Sequence, residues 1–185
     1  MRRIFTSIMA IFLTVIAADA DSHIAGKELG HPDKVMTLSR MNDLIDAIGK
    51  DVKRQQQGQW KFVVEQIPVF VIADPAHNRM RVLVGIARVE SLSEALYQRL
   101  MQANFDTTLD ARYAVAKGVV WGAYLHPLKS LTDRLFLSGV GQTVNLARTF
   151  GKTFSSGGLT FQGGDSAGIL ERELIEKLLE KGLAI

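Results

Sequence analysis

The chain reads as an α+β protein with an antiparallel sheet of about five strands and helices packed on it, and three observations predict this. Apolar residues switch along the sequence between a period near 3.6 and a period of two. The period-two runs are joined by short turn sequences, which favours antiparallel pairing. Two capping-box sequences, Ser91-Leu92-Ser93-Glu94 and Ser130-Leu131-Thr132-Asp133, mark where helices interrupt the strands.

The first helix follows from Leu38, Met41, Ile45, Ile48 and Val52, which fall three and four apart and make one apolar stripe. Lys50 to Gln57 is its polar last turn and Gly58 its stop. Trp60, Phe62 and Val64 then alternate with Lys61, Val63 and Glu65, the pattern of a half-buried strand. A second strand runs over Ile67–Ala73, with Pro68 favouring an edge or a bulge. Asp74-Pro75-Ala76-His77-Asn78 is turn chemistry. A third strand covers Arg79–Val89, with Met80, Val82, Val84 and Ile86 on one face.

Ser91 as N-cap opens a helix to about Asn104 that turns Leu92, Leu96, Leu100 and Met101 inward. A hairpin of Arg112–Ala116 and Val119–Leu125 turns at Lys117-Gly118. Ser130 opens the next helix, carrying Leu131, Leu135, Val140, Val144, Leu146 and Ala147. Gly139 and Gly141 weaken its middle by about 1 kcal/mol each relative to Ala, which points to a kink or to close packing against the sheet. Residues 151–168, with six Gly and three Ser, form a loop with room for a short strand at Leu159–Phe161. A terminal helix from Ile169 presents Leu170, Leu174 and Leu178, widened by Ile175 and Leu179.

The first twenty residues say where the protein works. Arg2 and Arg3 precede a 15-residue apolar run from Ile4 to Ala18, broken only by Thr6, Ser7 and Thr14, that closes on Ala18-Asp19-Ala20. A charged start, a short apolar run and a small-x-small site are a secretory signal, and spanning a bilayer takes about 20 residues. Residues 1–20 are therefore expected to be removed, residues 21–34 to be a flexible leader, and residues 35–185 to form a single domain in the periplasm or outside the cell. Composition agrees with an ordinary globular chain, 47% apolar and 22% charged, without cysteine. The net charge of +3 comes from Lys and Arg scattered along the sequence, so nucleic acid is not expected as a partner.

The order of elements resembles the type III secretion chaperone-like family, which includes Tir-chaperone and YbjN-type proteins. The residues that carry the resemblance are Leu100-Met101-Gln102-Ala103-Asn104 at the end of the middle helix, the hairpin Tyr113-Ala114-Val115 to Val120-Trp121-Gly122, and Leu125-His126-Pro127-Leu128 leading into Ser130-Leu131-Thr132. It covers roughly Val35 to Phe150. The resemblance implies a binding module, commonly a homodimer, whose sheet and helix surfaces hold extended partner segments. Trp60, Phe62, Phe70, Trp121 and Tyr124 are the aromatics that could line such a surface, and each also suits a core. Binding would bury apolar side chains and pair main chain at an edge strand, with the terminal helix as a movable cover.

Other chemistries have weaker anchors. Gly164-Asp165-Ser166-Ala167-Gly168 matches the G-x-S-x-G elbow of serine hydrolases, yet no His follows Ser166, and Ser166 or Asp165 serves equally as a helix cap. Gly151-Lys152-Thr153 lacks the earlier Gly of a phosphate loop. Cleavage after Ala20 would expose Asp21-Ser22-His23, whose amine, two amide nitrogens and imidazole suit square-planar Cu(II) or Ni(II). His77 and His126 have no evident carboxylate partner in the local sequence. The expectation is therefore an exported protein- or peptide-binding module without a cofactor. A small serine hydrolase using Ser166 and a Cu/Ni-binding protein using His23 are the alternatives.

Overall fold

The computed structural model describes residues 36–157 and 166–185, with side chains of the last helix from residue 172 onward. The expected signal segment, the expected leader with His23, and the strand expected at Leu159–Phe161 lie outside the described residues.

Thr37 caps the first helix, α1 (Leu38–Ile48), its hydroxyl accepting the Arg40 N–H at 3.0 Å. Met41, Leu44, Ile45 and Ile48 form the buried stripe. Four strands follow as a meander: β1 (Lys50–Gln56), β2 (Gln59–Val64), β3 (Ile67–Asp74) and β4 (Arg79–Arg88). Helix α2 (Glu94–Asp106) leads to the hairpin β5 (Arg112–Ala116) and β6 (Val119–His126). Helices α3 (Asp133–Thr149) and α4 (Ser166–Leu183) complete the chain. All strands join one antiparallel sheet in the order β1-β2-β3-β4-β6-β5.

The sheet thus has six strands, one more than expected. Lys50–Gln56, read as the last turn of a helix, is an edge strand. Gly49 ends α1 with an extended backbone, and a Cβ there would lie 2.8 Å from the Phe62 ring. Asp51 takes φ 52°, which bends the strand start. Six of the seven β1 residues are exposed, so no apolar alternation betrays the strand. An exposed, charged edge of this kind resists pairing with other chains.

Both expected caps sit two residues early. Residues 89–91 and 128–130 form short 3₁₀ turns, and the hydroxyls that accept helix N–H groups belong to Ser93 (from Leu96) and Thr132 (from Leu135). Met101, expected to turn inward, is exposed, and so is Leu135 of the α3 stripe.

The core lies between one face of the sheet and the helices, with Phe62, Val69, Val71, Met80, Val82 and Val84 from the strands. Helix α3 packs against it through Phe136, Leu137, Val140 and Val144. A Cβ on Gly139 would lie 2.5 Å from the Tyr124 ring, and one on Gly141 2.7 Å from Ile175. Both glycines serve close packing, Gly139 against the sheet and Gly141 against α4.

Helix α4 spends its stripe in this core: Leu174 and Leu178 are buried in it. It is therefore seated on the helix layer, against α3 and α1, and not over a strand edge as a movable cover. Lys177 donates to Glu65 at 3.0 Å, and that bond holds the Glu65 carboxyl below the usual carboxylate range. Arg40 on α1 pairs with Asp133 in the first turn of α3 at 2.8 Å.

Candidate partner-binding face

Strand alternation sorts the five expected aromatics onto two sides of the sheet. Trp60, Phe62 and Tyr124 point into the core and are at most 4% exposed. The indole N–H of Trp60 donates to Asn42 on α1 at 2.6 Å, which fixes the ring against that helix. These three cannot line a surface, which corrects the expectation that all five share one. Phe70 and Trp121 lie on the opposite face, half-buried and edge-to-face, with centroids 6.4 Å apart.

That second face has no helix layer among the described residues, since the buried apolar residues of all four helices belong to the core on the other side. The register gives its composition row by row. One row across the sheet reads Lys61, Phe70, Leu83, Ala123, Arg112. The next reads Gln59, Ile72, Arg81, Leu125. Gly85 pairs with Trp121 beyond them, and a Cβ on Gly85 would meet the indole at 3.6 Å, so the ring lies across the glycine. The indole N–H donates to the Ala116 carbonyl at 3.0 Å. Ile72 is 40% and Leu125 58% exposed, large apolar side chains in the middle of an open sheet.

The rim is cationic. Lys61 sits 5.3 Å from the centre of the Phe70 ring, a cation–π contact. Lys50 and Lys53 of β1 share this face through their pairing with Val63 and Lys61. Arg79 and Arg88 stand at the two ends of β4. With Arg81 and Arg112 the register places seven cations here, against the single carboxylate of Asp74. Residues that look scattered in sequence are gathered because each occupies an outward position of its strand.

Edge pairing has less room than expected. The β5 edge is occupied at Tyr113, whose N–H and carbonyl are both held by the Asn104 side chain. The β1 edge is charged and bulged.

Of the remaining candidates, only His77 borders this face, beside Ile72, Arg79 and Arg81. Ser166 is the first residue of α4, and its side chain is outside the described residues. His77 does have a local partner: Asp74 Oδ2 lies 2.7 Å from its Nδ1, and that bond lowers the Asp74 pKa. The pair is exposed and closes a turn. His126 stacks on Tyr124 and bonds the Pro127 carbonyl at 2.8 Å. Among the described residues, no group of three or more His, Asp or Glu side chains could hold a metal ion. The same residues include no helix long and apolar enough to cross a membrane.

No family model and no curated protein sequence matches this chain. Among solved structures, one similar chain comes from the HopA1–SchA chaperone–effector complex. The likeness has a TM-score of 0.46 at 9% identity, and covers 63% of this chain and 88% of that one.

Proposed function

We propose that this chain is an exported protein- or peptide-binding module, chaperone-like or adaptor in role, that receives its partner on the open face of the sheet. The observation that carries the reading is the apolar centre formed by Phe70, Trp121, Ile72, Leu83 and Leu125, which no described helix covers. A partner laid over them removes apolar surface from water, worth about 25 cal/mol for each Å² buried. The defended edges favour face docking over strand addition.

The same reading includes a homodimer. Met101, Phe105 and Leu109 fall four apart, and Phe105 is 93% exposed at the end of α2. A second copy would cover that stripe.

Binding is tested on an array of immobilised 12-residue peptides of varied composition, probed with the mature chain (residues 21–185). Peptides containing apolar residues are expected to capture the protein. Ile72→Ser and Leu125→Ser, both at exposed positions, are expected to cut that capture at least fivefold while leaving the thermal midpoint unchanged. No capture, or capture indifferent to both substitutions, refutes the proposal. Export predicts a mature terminus at Asp21 by N-terminal sequencing. The dimer predicts a solution mass that Phe105→Ser halves.

A further inference from the structure

We infer that the partner of the open face is an acidic polypeptide segment with interspersed apolar residues. The inference rests on the face being the binding surface and names the chemistry it selects.

Charge is divided between the open face and the rest of the molecule. Among the described residues, seven of the 18 Lys and Arg lie on this face with one of the 14 Asp and Glu. Eleven described cations and thirteen described carboxylates remain elsewhere, so a face of net +6 belongs to a described structure that otherwise sums to −2. Such a separation concentrates positive potential over one surface and steers anionic partners to it.

The arrangement within the face chooses among anions. Arg112 and Lys61 end the row whose middle is Phe70, Leu83 and Ala123. Arg81 stands between Ile72 and Leu125 in the neighbouring row. Cations therefore flank and interrupt an aliphatic and aromatic centre. An extended peptide presents side chains at a comparable spacing, carboxylates to the guanidinium groups and apolar groups to the centre. Single-stranded nucleic acid needs open ring faces for its bases. Here Lys61 sits over the Phe70 ring, and the most exposed side chains of the centre, Ile72 and Leu125, are aliphatic and give bases nothing to stack on.

The test is an array of 12-residue peptides in which net charge and apolar content vary independently, with an oligo-dT strand and phosphatidylglycerol vesicles as further probes. Capture of the full mature chain is expected to rise at least tenfold from Lys-rich to Glu-rich peptides of equal apolar content. It is expected to weaken with added salt and to fall at least tenfold in the double variant Arg81→Glu, Arg112→Glu. Arg81→Gln with Arg112→Gln, a milder change at the same exposed sites, is expected to give a smaller loss. Equal capture of Glu-rich and Lys-rich peptides, still sensitive to Leu125→Ser, overturns the charge assignment and leaves the binding face standing. Capture of neither class overturns both. Oligo-dT or vesicles held more tightly than any peptide overturn the choice of a polypeptide.

Discussion

The side-chain amide of Asn104 holds both backbone groups of Tyr113: its Nδ2 donates to the Tyr113 carbonyl at 3.0 Å, and its Oδ1 accepts the Tyr113 N–H at 2.7 Å. One residue at the end of α2 thereby stands in for a strand beside β5, which is otherwise the outer edge of the sheet. Natural sheets need such devices, because an open edge is a template for other chains.

Asn104→Ala is accordingly expected to cost about 1–3 kcal/mol in denaturant unfolding, the range for leaving half-buried polar groups without their partner. It is also expected to raise self-association, seen as increased light scattering at equal concentration. A variant as stable and as monodisperse as the parent would show that the pair contributes nothing.

Gly139 gives a prediction whose sign is diagnostic. In an open helix Gly→Ala stabilises by about 1 kcal/mol. Here the added methyl would sit 2.5 Å from the Tyr124 ring, in a core with no slack. Gly139→Ala is expected to destabilise by about 1–3 kcal/mol in thermal or denaturant unfolding. The double variant with Tyr124→Leu is expected to recover part of the loss.

Tyr124 links the core to pH. Burial first, and the Asp110 carboxylate second, push its hydroxyl up to about 12 from the usual 10. A raised folded pKa stabilises the protein fully below pH 10, and the stabilisation is lost as pH rises from 10 through 12. Wild type is expected to lose about 2 kcal/mol over that window beyond any loss in Tyr124→Phe. The difference in absorbance at 295 nm between the two proteins should place this ionisation near 12, or at unfolding if that comes first. Ionisation near pH 10 in folded protein would contradict the assignment.

The β2–β3 turn offers a gain. Glu65 and Gln66 take φ 48° and 67°, the left-handed pair that a two-residue hairpin requires, without the glycine that suits it. Gln66→Gly is expected to stabilise by up to about 1 kcal/mol, whereas Gly118→Ala in the similar Lys117-Gly118 turn is expected to destabilise.

Period and turn chemistry made most of the framework legible. The stripe of α1, the strands β2 to β4 and the Lys117-Gly118 hairpin all follow from local pattern. The β1 strand was not legible, because its exposed residues carry no alternation and only the pairing with β2 makes it a strand. The caps were misplaced because Ser91 and Ser130 have the right chemistry, while 3₁₀ turns move the helix starts to Ser93 and Thr132. The aromatics divided because sequence alternation says which residues share a face, not which face the helices cover. The cationic rim was hidden for a related reason: Lys50, Lys61, Arg81 and Arg112 are far apart in sequence, and only the register brings them to one surface.

The seam between β4 and β6 has a consequence for how the molecule assembles. The four other strand pairs, from β1–β2 through β5–β6, join sequence neighbours across short turns. The seam alone closes over a long excursion, its nearest pair, Arg88 and Val119, lying on either side of α2 and β5. Loop-closure entropy thus falls chiefly on one event, in which a preformed meander meets a preformed hairpin. The same event carries Trp121 onto Gly85 and beside Phe70. In a Trp60→Phe background, indole fluorescence during refolding is therefore a clock for the closing of the sheet.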